Sequence, residues 1–600
     1  MDADPTPVTL VTPETVAGTT YDVVVVGAGV AGSIVAKQLS EAGKTVLIIE
    51  AGTGEGLTSE GFYGYVESFY RAVVKNPNSP YPSNSNAPSP TDDSNGYFHE
   101  QGPLPIGGSY TRIAGGTTMH WEGKALRMLP EDFELNTRYG IGLDWPIGYQ
   151  DLEPYYRKAE SELGVAGDTE EQKALGVPFP NGYVFPMKKI PPSFLDEVIR
   201  RKIDGTTVQL DGHTIELKLS AFPQARNGEA NPDFVPEKGT SGRRAEYTVQ
   251  CGGNASCVPI CPFQAKYDAR RTLASIASPR RVHLLIQAVA SVVEIDPASR
   301  RVKAIQYKYY PDKNSPKHMI GIAKSRLFVL ACNAVENAKL MLASNLPNSS
   351  RLMGRNLMDH PFLLTWALVP EAAGVMRGPL VTSGIGTFRK GEFRSKQAAF
   401  AMDINNGGWG WSGTGATNVL RDAVDNKKKY GQELRKELIS RISRQLLLAF
   451  MCELPADSGN SVSIDPRYTD QLGNYRPVIK FDIPDYSKLT IAYARGLSRK
   501  IFSILGAEDH TFYNKSDPAY FEYGGEGYWF RAGNHFSGTH IMGKTKTDSV
   551  VDAQLRSWDH ENLYLVGGGS MPAIGSSNIT LSIAALSFRA SDQMLEDLRG

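Results

Sequence analysis

Residues 21–52 read Tyr-Asp-Val-Val-Val-Val-Gly-Ala-Gly-Val-Ala-Gly-Ser-Ile-Val-Ala-Lys-Gln-Leu-Ser-Glu-Ala-Gly-Lys-Thr-Val-Leu-Ile-Ile-Glu-Ala-Gly. Four consecutive valines predict a strand buried on both faces, a helical period follows the glycines, and a second apolar strand ends at Glu50. This is a βαβ unit. In Gly27-x-Gly29-x-x-Gly32 the first glycine allows a tight turn, the second lets the backbone approach a pyrophosphate, and the third lets helix and strand pack closely. Phosphates then sit on the helix N-terminus. Glu50, at the end of the second strand, can accept ribose hydroxyls and disfavours a 2'-phosphate. The unit opens a 600-residue chain whose last segment also reads as flavin-binding, which favours FAD over NAD.

That last segment runs Asn562-Leu-Tyr-Leu-Val-Gly-Gly-Gly-Ser570-Met-Pro572, then Gly575-Ser-Ser-Asn578-Ile-Thr580 and an apolar helix. A strand ending in glycines delivers the chain to a cofactor, and the helix can aim its positive N-terminus at a flavin ring. Between the two ends, alternation over Val282–Ile295 and Val302–Tyr310 predicts an antiparallel hairpin or meander. Leu327–Ala331 predicts a buried strand before a helix containing Glu336–Ser344. Residues 76–98, rich in Pro, Ser, Asn and Asp, read as a long surface loop, a lid or a docking arm. The fold class is α/β, a Rossmann-like dinucleotide domain with a mixed-sheet substrate-binding domain. The first collects 15–60, 100–150, 245–357 and 531–600; the second collects 151–244 and 358–530; 61–99 is a loop or arm.

Lys plus Arg and Asp plus Glu both number 64, so the formal net charge is zero and no global field attracts nucleic acid. No apolar run approaches the roughly 18 residues needed to span a bilayer. Met1-Asp2-Ala3-Asp4-Pro5 carries neither a basic nor an apolar region of a secretion signal, so export is expected to need another carrier.

Three of the five cysteines, Cys251, Cys257 and Cys261, share one eleven-residue window ahead of Pro262. Thiolates suit iron-sulfur clusters and zinc. Three ligands alone fit a three-iron cluster better than the four-cysteine types. Zinc needs a fourth ligand, and no histidine lies within twenty residues, so Cys332 or Cys452 would be recruited from afar. Buried free thiols are the remaining reading. Elsewhere, His535 suits the abstraction of a hydroxyl proton because a neutral imidazole operates near physiological pH. Asn578 can orient the same hydroxyl without titrating, and His540 is the nearest rival base, read as a supporting residue.

The N-terminal fingerprint, Gly115-Gly116-Thr117-Thr118-Met119-His120-Trp121, Gly354-Arg-Asn-Leu-Met-Asp-His360-Pro361 and the C-terminal run together resemble the glucose-methanol-choline (GMC) family of flavin oxidoreductases over nearly the whole chain. Within it, Asn534-His535-Phe-Ser-Gly538-Thr539 and Asn578 resemble the catalytic pair of sugar-oxidising members. The resemblance implies FAD contacts from Gly116, Thr118, His120, Gly568 and Ser570 beside Gly27, Gly29, Gly32 and Glu50. His120 is either a covalent flavin attachment point, as in members similar to pyranose oxidase, or a ring-packing histidine. The loop 251–262 and its continuation resemble the three-iron loop of large subunits of bacterial sugar dehydrogenases of the glucose, fructose and glucoside 3-dehydrogenase type. Those relatives can carry a second cysteine where Gly252 stands, so no local disulfide is expected.

The resemblance therefore implies a sugar dehydrogenase oxidising a ring hydroxyl such as C3 of a pyranoside, or the anomeric carbon. Electrons pass from FAD through the cluster to a cytochrome c subunit, and a small signal-bearing subunit carries the chain to the periplasm. An oxygen-using pyranose oxidase and a non-enzymatic electron-transfer subunit are the alternatives.

Overall fold

The computed structural model describes residues 8–73, 76–90, 96–242, 249–253, 256–412 and 416–599. Met1 to Pro5 and Asn254 of the cysteine loop lie outside the described residues. Six parallel strands form the first sheet in the order Thr9–Leu10, Val282–Leu285, Val46–Ile49, Tyr21–Val26, Ser325–Leu330, Leu563–Leu565. Val23 to Val26 lie fully inside it, flanked by strands on both sides, as an unbroken valine run requires. Each such side chain contributes roughly 1.5–3 kcal/mol on burial. Helix Val30–Glu41 covers one face and packs along helix Thr580–Asp597, which also contacts helix Tyr149–Leu163.

Two glycines make the strand-to-helix turn possible. Gly27 has φ +103°, and a Cβ there would sit 2.6 Å from the Ala331 carbonyl oxygen. A Cβ on Gly32 would stand 2.0 Å from the Gly27 carbonyl oxygen, so only glycine lets the helix lie this close. Strand order reverses at Tyr21–Val26, which leaves a crevice outside the carboxyl ends of that strand and Ser325–Leu330.

The stretch Val282–Ile295 divides in two. Val282–Leu285 joins the parallel sheet, Gln287 turns the chain at φ +56°, and Ala288–Ile295 begins a three-stranded antiparallel meander with Val302–Tyr309 and Met319–Ala323.

The second sheet runs Glu508–Asp509, Pro361–Leu368, Gln445–Cys452, Phe400–Asn405, Ser383–Ile385, Leu219–Ala221, with Arg531–Ala532 added beside the start of Pro361–Leu368. The sequence predicts a mixed sheet; the pairings of its described strands are all antiparallel. Runs such as Leu446 to Met451 are buried on both faces, and an apolar run of that kind carries no mark of strand direction.

Residues 61–99 are not simply a loop or arm. Ser59–Arg71 is a helix, capped by Thr58 Oγ1, which accepts from Gly61 N at 3.1 Å. It buries Phe62, Tyr65 and Phe69, an i, i+3, i+7 stripe, against Tyr81, Ile113, Met119 and Ile260. Nor does the polar stretch after it run over the surface. Asn84 Nδ2 donates to Tyr310 Oη at 2.8 Å, Asn86 Nδ2 donates to the Ser315 carbonyl at 2.9 Å, and both residues are buried.

Candidate active site

The crevice at the sheet reversal opens into a partly enclosed cavity. Gly27 and Gly29 form one wall, with Gly29 capping helix Val30–Glu41 so that its first N–H groups face the space. Glu50 closes one end. Its Oε2 accepts from Ala28 N and its Oε1 from Gly52 N, each at 2.9 Å, which fixes the carboxylate. Burial raises its pKa, and those two N–H groups and Arg112 oppose the rise. Arg112 also lines the cavity, and its buried Nη1 meets no hydrogen-bond partner among the described residues. A glycine-lined helix N-terminus, a ribose-accepting carboxylate and an unused guanidinium donor fit a dinucleotide.

Gly116, Thr118 and Gly568 also lie on the wall. Thr118 Oγ1 donates to Gly115 O at 2.6 Å and accepts from Ala269 N at 2.9 Å, which anchors that stretch. Three expected contacts lie off the wall. Gly32 serves helix packing, and Ser570 Oγ turns back to the Gly567 carbonyl at 2.8 Å. His120, between Thr118 and Trp121 in sequence, is buried, with Nδ1 2.7 Å from Thr111 Oγ1 and Nε2 without a partner among the described residues. Burial first, and then Lys266, lowers its pKa to about 3.

The far end of the cavity is built where the two sheets meet. Arg531–Ala532 pairs with Pro361–Phe362, and Met358 exchanges backbone hydrogen bonds with Ser537, so residues 358–362 and 531–537 run alongside each other. The ladder is interrupted between these pairs by Asp359. Its carboxylate accepts from the backbone N of His360 at 2.7 Å, His535 at 2.8 Å and Asn534 at 3.0 Å. Asn534 adopts φ +59°, a left-handed conformation that asparagine tolerates, and the turn delivers His535 to the cavity wall.

A chain of three hydrogen bonds then fixes the His535 proton. His360 Nε2 lies 3.0 Å from the Gly575 carbonyl, which can only accept, so His360 carries its proton there. Burial lowers the His360 pKa to about 3, leaving the ring neutral and its Nδ1 bare. His360 Nδ1 stands 2.9 Å from His535 Nδ1, which must therefore be the donor. His535 Nε2 is left as a lone pair, 3.3 Å from Asn578 Nδ2. Burial, then His360 and Lys124, hold the His535 pKa well below the usual range, so the ring is neutral. Asn578 Oδ1 is buried with no partner among the described residues. Nε2 thus accepts from Asn578 Nδ2, and the amide's Oδ1 is an unused acceptor beside it. His540 is buried elsewhere, donating its backbone N to Gly569 O at 2.8 Å and meeting Asn337 Nδ2 at 3.2 Å.

On the opposite side of the Gly115–Trp121 stretch lies the cysteine loop. None of the five cysteines is in a disulfide. Cys257 is buried and Cys251 and Cys261 are half-buried, and all three act electrostatically on the single guanidinium of Arg226. Cys332 lies instead on the dinucleotide cavity and Cys452 inside the second sheet. Lys266 Nζ joins the two centres, donating to the Cys257 carbonyl at 2.7 Å, to the Met119 carbonyl at 3.3 Å and to the Trp121 carbonyl. Trp121 lines the dinucleotide cavity.

Arg112, Asp359, His360, Arg226 and Lys266 were beyond the sequence reading of the site. Asp359 and His360 had a signal, their place in the Gly354–Pro361 motif.

Comparison with known proteins shows the family. A model of FAD dependent oxidoreductases matches residues 22–154, and models of GMC oxidoreductase match 239–362 and 456–587. The chain is 32% identical to the fructose dehydrogenase large subunit of Gluconobacter japonicus, over 96% of this chain and 98% of that one. It is 26% identical to paromamine 6'-oxidase of Streptomyces fradiae, over 96% and 92%. Among solved structures, pyridoxine 4-oxidase from Mesorbium loti shares the fold with a TM-score of 0.57 at 15% identity, over 96% of this chain and 99% of that one. By these matches the chain is an FAD-dependent oxidoreductase and belongs to the GMC oxidoreductase family.

Proposed function

We propose that this protein is a sugar dehydrogenase. It oxidises a sugar hydroxyl, either a pyranoside ring hydroxyl such as C3 or the anomeric one, and passes the electrons through an iron-sulfur cluster at Cys251, Cys257 and Cys261 to a cytochrome c-type acceptor. The observation that carries the oxidation is the hydrogen-bonded chain Gly575–His360–His535, which leaves His535 Nε2 unprotonated and accepting from Asn578 Nδ2. The similarity to a fructose dehydrogenase large subunit supports a sugar as substrate and a multi-subunit assembly.

FAD, when bound, supplies the hydride acceptor. The residues of the chain do the rest. His535 Nε2 takes the hydroxyl proton as the carbinol hydrogen leaves, with the reacting atoms held roughly 3–3.5 Å apart. The Nδ1–H of His535 stays on its bond to His360, so the imidazolium that forms keeps a hydrogen-bond acceptor in a buried site. Asn578 holds the hydroxyl on Nε2 without taking its proton. Burial and the Lys124 charge disfavour that imidazolium at rest, which keeps the base unprotonated before substrate arrives.

The cysteine loop fits an iron-sulfur cluster on one observation: the buried Arg226, with two N–H donors unpartnered among the described residues, carries a charge that acts on all three thiols. Such a cluster supplies one-electron transfer. A small export subunit, a cytochrome c subunit and a periplasmic location complete the proposal. No helix among the described residues is long and apolar enough to cross a membrane.

The experiment is anaerobic reduction of the bound flavin by glucose, a methyl glucoside and fructose, with product analysis by NMR. His535→Ala should retain flavin and slow its reduction by about 10²-fold or more. Reduction at the wild-type rate removes His535 from the chemistry. Peroxide formed in air without another acceptor, at the rate of sugar oxidation, identifies an oxidase instead.

A further inference from the structure

Arg226 is among the most deeply buried large side chains in the molecule. Its Nη2 donates to the Glu122 carbonyl at 2.7 Å, while Nε and Nη1 meet no hydrogen-bond partner among the described residues. A buried charged donor left unpaired is destabilising, so an acceptor belongs there.

The backbone shows which acceptor. Residues 224–227 are held between the two ends of the cysteine loop. On one side Cys251 N donates to the Asn227 carbonyl at 2.9 Å. On the other, Asn227 N donates to Ala265 O at 2.8 Å and Tyr267 N donates to Ala225 O at 2.9 Å. The guanidinium accordingly feels Cys257, Cys251 and Cys261 together. Among the described residues no carboxylate forms an ion pair with it; Glu122, the acid that acts on it, offers its backbone oxygen. The two remaining N–H groups meet neither the thiol sulfurs nor the Glu122 carboxylate, whose Oε1 is likewise unpartnered among the described residues, so an acceptor held by the three sulfurs is what the proposed cluster adds.

We infer that Arg226 sets the reduction potential of the iron-sulfur cluster, donating Nε–H and Nη1–H to cluster sulfurs and offsetting part of the thiolate charge. The inference rests on the reading of Cys251, Cys257 and Cys261 as cluster ligands. Cluster potentials follow net charge and hydrogen bonds to the sulfurs. A cation held there favours the reduced, more negative state, so the cluster is easier to load with an electron. Arg226 is a tuning residue, since its charge acts on the three cysteines and not on the sugar site.

The test is a redox titration of the purified protein, followed by the cluster's EPR signal, with iron and sulfide content measured alongside. In Arg226→Gln the cluster should remain, and its reduction equilibrium constant should fall at least tenfold, which for a one-electron couple is a negative shift of about 59 mV. Arg226→Lys keeps the charge but loses the planar fork, and should fall between the two. If Arg226→Gln fails to hold iron, Arg226→Lys decides by the same titration. A wild-type midpoint in an iron-replete variant overturns the inference and leaves the cluster standing. Wild-type protein isolated anaerobically without iron overturns the cluster reading itself, and Arg226 with it.

Discussion

The Nδ1 atoms of His360 and His535 lie 2.9 Å apart, with the two rings nearly perpendicular at 87°. Both rings are neutral, and one proton serves the contact. Because Gly575 holds the His360 proton at Nε2, the shared proton belongs to His535, and the base is defined by a residue 175 positions away. His360 is therefore a positioning residue, acting through His535.

His360→Phe removes the acceptor and frees His535 to carry its proton on Nε2, where it cannot serve as a base. Flavin reduction by sugar should slow by about 10- to 100-fold, the scale of one buried hydrogen bond of about 1–3 kcal/mol. The apparent affinity for sugar should change little. His360→Gln, whose Oε1 can accept from Nδ1, should recover much of the loss. Anaerobic stopped-flow traces decide this, and equal rates for Phe and wild type would show that the tautomer is set elsewhere.

The same residue should leave a mark on stability. His360 titrates near 3 in the folded protein, lowered by burial, against about 6.5 in the unfolded chain. Below 6.5 the unfolded chain binds a proton that the folded one refuses, so stability falls as pH falls from 6.5 toward 3. His360→Gln lacks this contribution. Between pH 7.5 and 5.5 it should lose about 1.4 kcal/mol less than wild type in matched denaturant titrations. Parallel losses in the two proteins would mean that His360 is protonated in the fold.

Much of the fold was legible because local pattern and long-range packing agree. Gly27 and Gly32 announce a turn that only glycine can make, and the valine run announces a central strand. The histidine-asparagine pair was legible from motif alone, and the structure brings Asn578 to 3.3 Å from His535. What failed to show was polar burial. Asn84 and Asn86 read as surface residues by composition, yet each is satisfied by groups more than 220 positions away, a pairing that no local pattern records. Arg226 is a similar case, for its charge reaches three cysteines that are themselves 25 to 35 positions on. Asp359 stands in the Gly354–Pro361 motif, but its role was silent for a different reason: its partners are backbone N–H groups, which leave no trace in side-chain identity.

Arg112 lines the dinucleotide cavity with an unused Nη1 and lies over the Tyr97 ring at 5.5 Å. Arg112→Met should weaken FAD by about 10- to 100-fold, since hydrogen bonds to charged groups contribute about 1.5–3 kcal/mol. Flavin retained through gel filtration, and the dissociation constant after reconstitution, measure the effect. Unchanged retention would place the cation outside the cofactor's reach.

Lys266 and Cys257 separate the two halves of the proposed reaction. Cys257→Ser removes a ligand, so iron content should drop and transfer to a cytochrome acceptor should stop, while sugar still reduces the flavin because hydride transfer comes first. Lys266→Met keeps all three thiols but cuts the bonds from Nζ to the carbonyls of Met119, Trp121 and Cys257, which tie the cavity wall to the cysteine loop. Burial already draws the Lys266 pKa down to about 8, opposed by Cys261 and Cys257. Iron should remain and the sugar half-reaction should keep its rate. Passage of electrons from reduced flavin to the acceptor should slow by at least tenfold, because the spacing between wall and loop is no longer fixed. A Lys266→Met protein that turns over with a cytochrome acceptor at the wild-type rate, with iron intact, would show that this lysine holds the fold together without setting the electron path.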